Sequence, residues 1–97
     1  MNDSSDFKHP GGKLRRLGAN TCSDKELLAI IFNSGTKKYS AVDIADQLLT
    51  KFGGLNNIMG RRLNELMDIE GIGEVKATQI AALFELTKRI IRNLETA

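Results

Sequence analysis

The sequence predicts an all-α fold, a compact bundle of about five helices with no sheet. Three observations carry that expectation. Every apolar pattern after Ser23 recurs at three- and four-residue spacing, the period of a helix face, and none alternates as a strand would. Two segments open with a capping signature, Ser23-Asp24-Lys25-Glu26 and Ser40-Ala41-Val42-Asp43, in which a hydroxyl and a carboxylate three residues apart satisfy free helix amides. A glycine pair, Gly71-Ile72-Gly73, separates two helical patterns by a very tight turn.

The elements follow in chain order. Met1 to Gly12 is polar, holds the sole proline and histidine, and ends in two glycines, so residues 1–12 are expected to form a flexible arm. Lys13, Arg15 and Arg16 interleave with Leu14 and Leu17 as a basic turn or short helix that Gly18 ends. From the Ser23 cap, Leu27, Leu28, Ile30 and Ile31 give a helix to about Asn33, stopped by Ser34-Gly35. After the basic loop Thr36-Lys37-Lys38-Tyr39, a helix starts at Ser40. It buries Val42, Ala45, Leu48, Leu49 and Phe52 and ends at Gly53-Gly54. Leu55 to Met59 reads as a one-turn connector closed by Gly60, and Arg61-Arg62 lead into a short helix from Leu63 to Asp68. The last helix is expected from about Glu74 to Leu94. Its first half belongs to the bundle, and its second half, with Lys88, Arg89 and Arg92, leaves it. Ser23 to Phe52 and Leu63 to Phe84 thus form two units of like design, each a helix, a glycine-bearing loop and a helix. Residues 13–94 make the one domain, and residues 95–97 a tail or the start of a linker.

Composition narrows the function classes. A chain of 97 residues, 41% hydrophobic and 27% charged, has the make-up of one ordinary globular domain. A net charge of +2 permits a polyanionic partner without demanding one. With no Trp and one Tyr there is no aromatic platform for stacking bases. The single cysteine, Cys22, forms no internal disulfide, which fits a reducing cytoplasm. No run is long and apolar enough to span a membrane, and the first ten residues lack the apolar centre of a signal peptide.

The chemistry gathers at the glycine loops. In a helix-hairpin-helix motif, the amides of the Gly-x-Gly turn and of the following helix N-terminus bind a nucleic-acid phosphate, which the partial positive charge of that end favours. Leu66, Ile69, Ile72, Ala77 and Ile80 are spaced around Gly71 and Gly73 as such a motif requires, with Ile72 plugging the gap between the helices. Gly71, Ile72, Gly73 and Lys76 are therefore candidate DNA-binding residues. The alternative is a turn that only lets two core helices pack. Glu70 and Glu74 flank the hairpin and repel a phosphate unless they point away. Gly35, Thr36, Lys37 and Lys38 either form a second hook or an exposed loop. Two hooks related by a pseudo-twofold would grip a minor groove. His9 and Cys22 stand in no catalytic or metal-binding pattern, so neither a metal nor a cofactor is expected.

Lys13-Leu14, Leu17-Gly18-Ala19, Leu27-Leu28-Ala29-Ile30, Ser34-Gly35-Thr36 with Ser40-Ala41, Phe52-Gly53-Gly54-Leu55, and Ile69-x-Gly71-Ile72-Gly73 with Lys76-Ala77 together resemble the RadC family of bacterial proteins, in its N-terminal helix-hairpin-helix region. The resemblance spans about Lys13 to Arg89. It implies a SAM/HhH2-like fold and a DNA-repair-associated protein. Members of that family carry a C-terminal JAB/MPN metalloprotease-like domain marked by His-x-His-Pro, and these residues do not include it; before His9-Pro10, position 7 is Phe7. Base-excision glycosylases use a similar hairpin with a nucleophilic lysine two residues after the second glycine. Here that position is Val75, and Lys76 is turned from it by about 100° on a helix. The expectation is a non-catalytic, sequence-independent DNA-binding module, in which DNA is held weakly through its phosphates. The alternative is a protein-docking or scaffolding domain that orients a C-terminal metal-dependent domain.

Overall fold

The computed structural model describes residues 9–96. They form an all-helical bundle with no strand among the described residues: α1 (Pro10–Leu17), a 3₁₀ turn (Ala19–Thr21), α2 (Asp24–Phe32), α3 (Ala41–Phe52), α4 (Leu55–Ile58), α5 (Leu63–Met67) and α6 (Glu74–Thr96). Both capping boxes form. The Ser23 hydroxyl accepts from the Glu26 amide at 3.3 Å while the Glu26 carboxylate accepts from the Ser23 amide at 2.8 Å. At α3 the Ser40 hydroxyl and the Asp43 carboxylate make the same exchange at 3.0 and 3.3 Å.

One boundary differs from expectation. Helix α1 begins at Pro10, so Gly11 and Gly12 lie inside a helix instead of ending an arm, and Gly12 is buried. Proline is at home in the first helical turn, where its missing N–H is not needed. Lys13 then ties α1 to α2 through an ion pair with Glu26 at 3.0 Å. Residues 1–8 of the expected arm, and Ala97, lie outside the described residues.

Helix α2 packs on α3, α5 on α6 and α4 on α3, and α2 reaches across to α6. One apolar core joins both units, with Leu28, Phe32, Ile44, Leu48, Ile58, Leu66, Ile72 and Ile80 among its buried side chains. Helix α2 stops abruptly at Asn33. Its φ of 69° and ψ of −42°, with the Ser34 amide donating to the Phe32 carbonyl at 2.8 Å, close a three-residue γ-turn of the rarer positive-φ kind. The two loops that follow α2 and α5 reach the same end of the bundle and touch.

Helix α6 outgrows the rest. Ala77 and Ile80 are fully buried, but Leu86, Ile90 and Leu94 are 60%, 59% and 73% exposed, so its second half leaves the core as expected. The radius of gyration, 14.3 Å, accordingly exceeds the roughly 12–13 Å of a compact domain of this length.

Candidate nucleic-acid interface

The hairpin between α5 and α6 is built on Gly71, Ile72 and Gly73, and the three do different work. Gly71 has φ 98°, and a Cβ there would stand 2.8 Å from Ile44 Cδ1. Its lack of a side chain is thus demanded by the backbone and by α3 beneath it. Ile72 is 3% exposed and its amide donates to the Ile69 carbonyl at 3.0 Å, so it plugs the core and offers nothing outward. Gly73 is the reverse case. Its φ is ordinary, and a Cβ added to it would meet no atom within 4 Å. The fold leaves the space above Gly73 open.

Behind Gly73 stands the uncapped start of α6. The Ala77 amide donates to the Gly73 carbonyl, the first bond of the helix. The amides of Gly71, Gly73, Glu74, Val75 and Lys76 donate to no acceptor among the described residues. Helices α2 and α3 close their first turns with serine hydroxyls, whereas α6 presents free donors at the positive end of a 23-residue helix. Lys76 is half-buried there with no ion pair to another described residue.

The loop from Asn33 to Ser40 is closed on itself. Gly35 is packed so tightly that a Cβ would strike the backbone of Tyr39, Ser40 and Ala41. The Thr36 amide donates to the Tyr39 carbonyl at 2.8 Å, and the Thr36 hydroxyl accepts from the amides of Lys38 and Tyr39 at 3.2 and 3.0 Å. These three amides are consumed within the loop, whereas those of Gly35 and Lys37 donate to no acceptor among the described residues. The loop also offers the side chains of Lys37 and Lys38.

Lys38 lies beside the hairpin. Lys38 Nζ is 3.4 Å from a Glu70 carboxylate oxygen, and the Tyr39 hydroxyl donates to the other Glu70 oxygen at 3.4 Å. Glu70 holds the Lys38 ammonium above the ordinary lysine range, first through that contact. The acid expected to repel a phosphate is therefore tied down by the first loop. Thr36 also approaches the hairpin, its Cγ2 lying 3.8 Å from where a Gly71 Cβ would stand. Thr36, Lys38 and Tyr39 of the first loop thus meet Glu70 and Gly71 of the hairpin, directly ahead of Gly73 and the start of α6.

With the geometry in place, comparison with known sequences sets the family. The family model for the UPF0758 N-terminal region matches residues 1–78. The chain belongs to the UPF0758 family. The UPF0758 protein of Shewanella loihica is 49% identical over 81 residues, which are 84% of this chain and 36% of that protein. Its counterpart in Clostridium tetani is 41% identical over 87 residues, 90% of this chain and 38% of the relative. That in Lactococcus lactis subsp. cremoris is 46% identical over 81 residues, again 84% and 36%. The chain spans just over a third of the length of these UPF0758 relatives, and the resemblance to the N-terminal region of a longer protein is borne out. No solved structure matches it.

Two features of this UPF0758 domain escaped the sequence. Tyr39 and Glu70 join the loops across 31 residues, a pairing that no local pattern announces. The other is Arg61, whose charge is committed to its own neighbourhood. Its guanidinium lies 4.7 Å from the centre of the Phe52 ring, donates to the Asn57 carbonyl at 2.7 Å, and pairs with Glu65 at 3.4 Å. Among the described residues, no cluster of three or more His, Cys, Asp or Glu side chains is placed to hold a metal. No helix among them is long and apolar enough to cross a membrane.

Proposed function

We propose that this UPF0758 domain is a non-catalytic, sequence-independent DNA-binding module, one that takes a backbone phosphate on the free amides of Gly73, Glu74, Val75 and Lys76. The observation that supports it most is Gly73. Neither its conformation nor its packing requires a glycine, and it leaves open space at the start of α6, where the amides are unpaired. A phosphate oxygen accepts from such donors without touching a base, so contact is blind to sequence. Lys37, Lys38 and Lys76 add Coulomb attraction. Only about two to three phosphates are neutralised by this set, which keeps affinity near the micromolar, non-specific range and the salt slope shallow.

The test is Gly73→Asp. An aspartate at this N-cap position accepts from the same amides, so it stabilises α6 by a few tenths of a kcal/mol while occupying the phosphate site. Thermal stability is expected to hold or rise as duplex DNA affinity, read by fluorescence anisotropy at fixed low salt, falls at least tenfold. Unchanged DNA affinity in the folded variant would reduce the hairpin to a packing device. Lys76→Glu is expected to act in the same direction through charge alone.

A further inference from the structure

Helices α1 and α2 and the start of α3 border a cleft of about 830 Å³, a size usual for a ligand site. Its basic lining is His9, Arg15 and Lys25. Its apolar lining is aliphatic, with Ala29 buried and Ile30 and Val42 half-buried. The one carboxylate that lines it, Glu26, is taken up by Lys13 at 3.0 Å and by the Ser23 amide at 2.8 Å. Lys25 is held only loosely, its Nζ lying 3.9 Å from Asp46. The Arg15 guanidinium has no partner among the described residues. Arg15 also accounts for a glycine. Gly11 sits inside α1, where glycine weakens a helix and no positive φ calls for one. Outside the helix backbone, the one atom within 4 Å that a Cβ there would meet is Arg15 Nη1, at 3.4 Å. The guanidinium thus lies against the bare backbone of α1.

We infer that the cleft takes an unpaired strand of the DNA held at the hairpin, with phosphates on Arg15 and Lys25; this rests on the DNA-binding reading and extends it. Charge selects an anion, and a free guanidinium grips phosphate through two parallel N–H donors. Shape selects a single strand, since a duplex is too wide to enter a cleft of this volume. Continuity selects the strand that leaves the hairpin. Gly35 lines the cleft, and the next residue, Thr36, places its Cγ2 3.8 Å from where a Gly71 Cβ would stand. One loop separates the two places, and a strand crossing it passes from one to the other. No Phe, Tyr or Trp lines the cleft, so bases are not stacked there. A basic groove that tracks the backbone leaves the contact blind to sequence.

Fluorescence anisotropy at fixed low salt tests it with a blunt duplex and with the same duplex carrying, in turn, a 3′ or a 5′ overhang of about eight nucleotides. At least one overhang is expected to raise affinity about three- to tenfold, through the added phosphate contacts. Arg15→Ala with Lys25→Ala is expected to remove that gain. Lys88→Ala with Arg89→Ala takes the same charge from the outer half of α6 and is expected to keep it. Gly73→Asp is expected to weaken blunt and overhang probes alike. Equal affinity for all probes in the unaltered chain overturns the cleft proposal and leaves the hairpin reading in place. So does a gain that survives the loss of Arg15 and Lys25, or one that the change at Lys88 and Arg89 removes equally. A gain that depends on Arg15 and Lys25 while every probe ignores Gly73→Asp overturns the hairpin reading instead and leaves the strand in the cleft. Binding of no probe overturns both.

Discussion

A methyl group at position 71 would meet the Ile44 side chain at 2.8 Å on a backbone already at φ 98°, so Gly71→Ala carries two penalties. Left-handed geometry and overpacking together are expected to cost about 2–4 kcal/mol, measurable as a lowered urea midpoint. Gly73, two residues on, carries neither penalty. Both glycines were legible as turn residues, because two glycines between helical patterns leave few other readings. Their division of labour was not legible, since it depends on Ile44 lying under one and nothing lying over the other. The plug role of Ile72 was readable from its apolar character in a turn, and burial confirms it. Its place among ligand-binding residues does not follow, because its amide is already used. Glu70 was read as a repelling charge. Its partners Lys38 and Tyr39 stand far away in sequence and appear only once the loops meet.

At the level of elements, the caps were the most readable feature, being local chemistry four residues long. Helix α1 was the least readable. Its two glycines argue against a helix, and only Pro10, pre-set for a first turn, argued for one. The ion pair that docks α1 makes its stability pH-dependent. Glu26 accepts from the Ser23 amide and from Lys13, and both hold its carboxyl below the ordinary glutamate value. A depressed folded-state pKa contributes stability that is fully present above the unfolded pKa and is lost as pH falls through the folded one. Thermal midpoints are therefore expected to drop as pH is lowered from 6 to about 3, a range that brackets the usual carboxylate pKa. Glu26→Gln should flatten part of that drop and lower the plateau near pH 7.

For the molecule as a whole, charge placement matters more than the net charge of +2. The Lys38–Glu70 bridge spends one of the few cations near the hairpin on an internal partner. Glu70→Gln is expected to free it, raising DNA affinity several-fold and steepening the dependence of log K on log salt by about one. Lys37→Ala with Lys38→Ala is expected to do the opposite, equally across unrelated DNA sequences. A flat response to both changes, measured by anisotropy over a salt series, would argue that DNA passes elsewhere. The all-helical architecture was legible because the helical period of the apolar residues runs through both halves. The junction between the units was not, because it is made by side chains from loops that the sequence keeps far apart.

The length of α6 has a further consequence, in the rate at which its amides trade hydrogen for deuterium. Up to Phe84 the helix is anchored by a buried face, so those amides open only with the bundle. Beyond it residues 85–96, about three turns, stand alone, no longer than the roughly 12–15 residues below which a free helix is marginal in water. Protection is therefore expected to fall steeply between Leu83 and Ile90 in dilute solution, within a helix that is geometrically unbroken. The boundary between rigid and breathing protein lies inside one secondary-structure element, set by where its contacts stop.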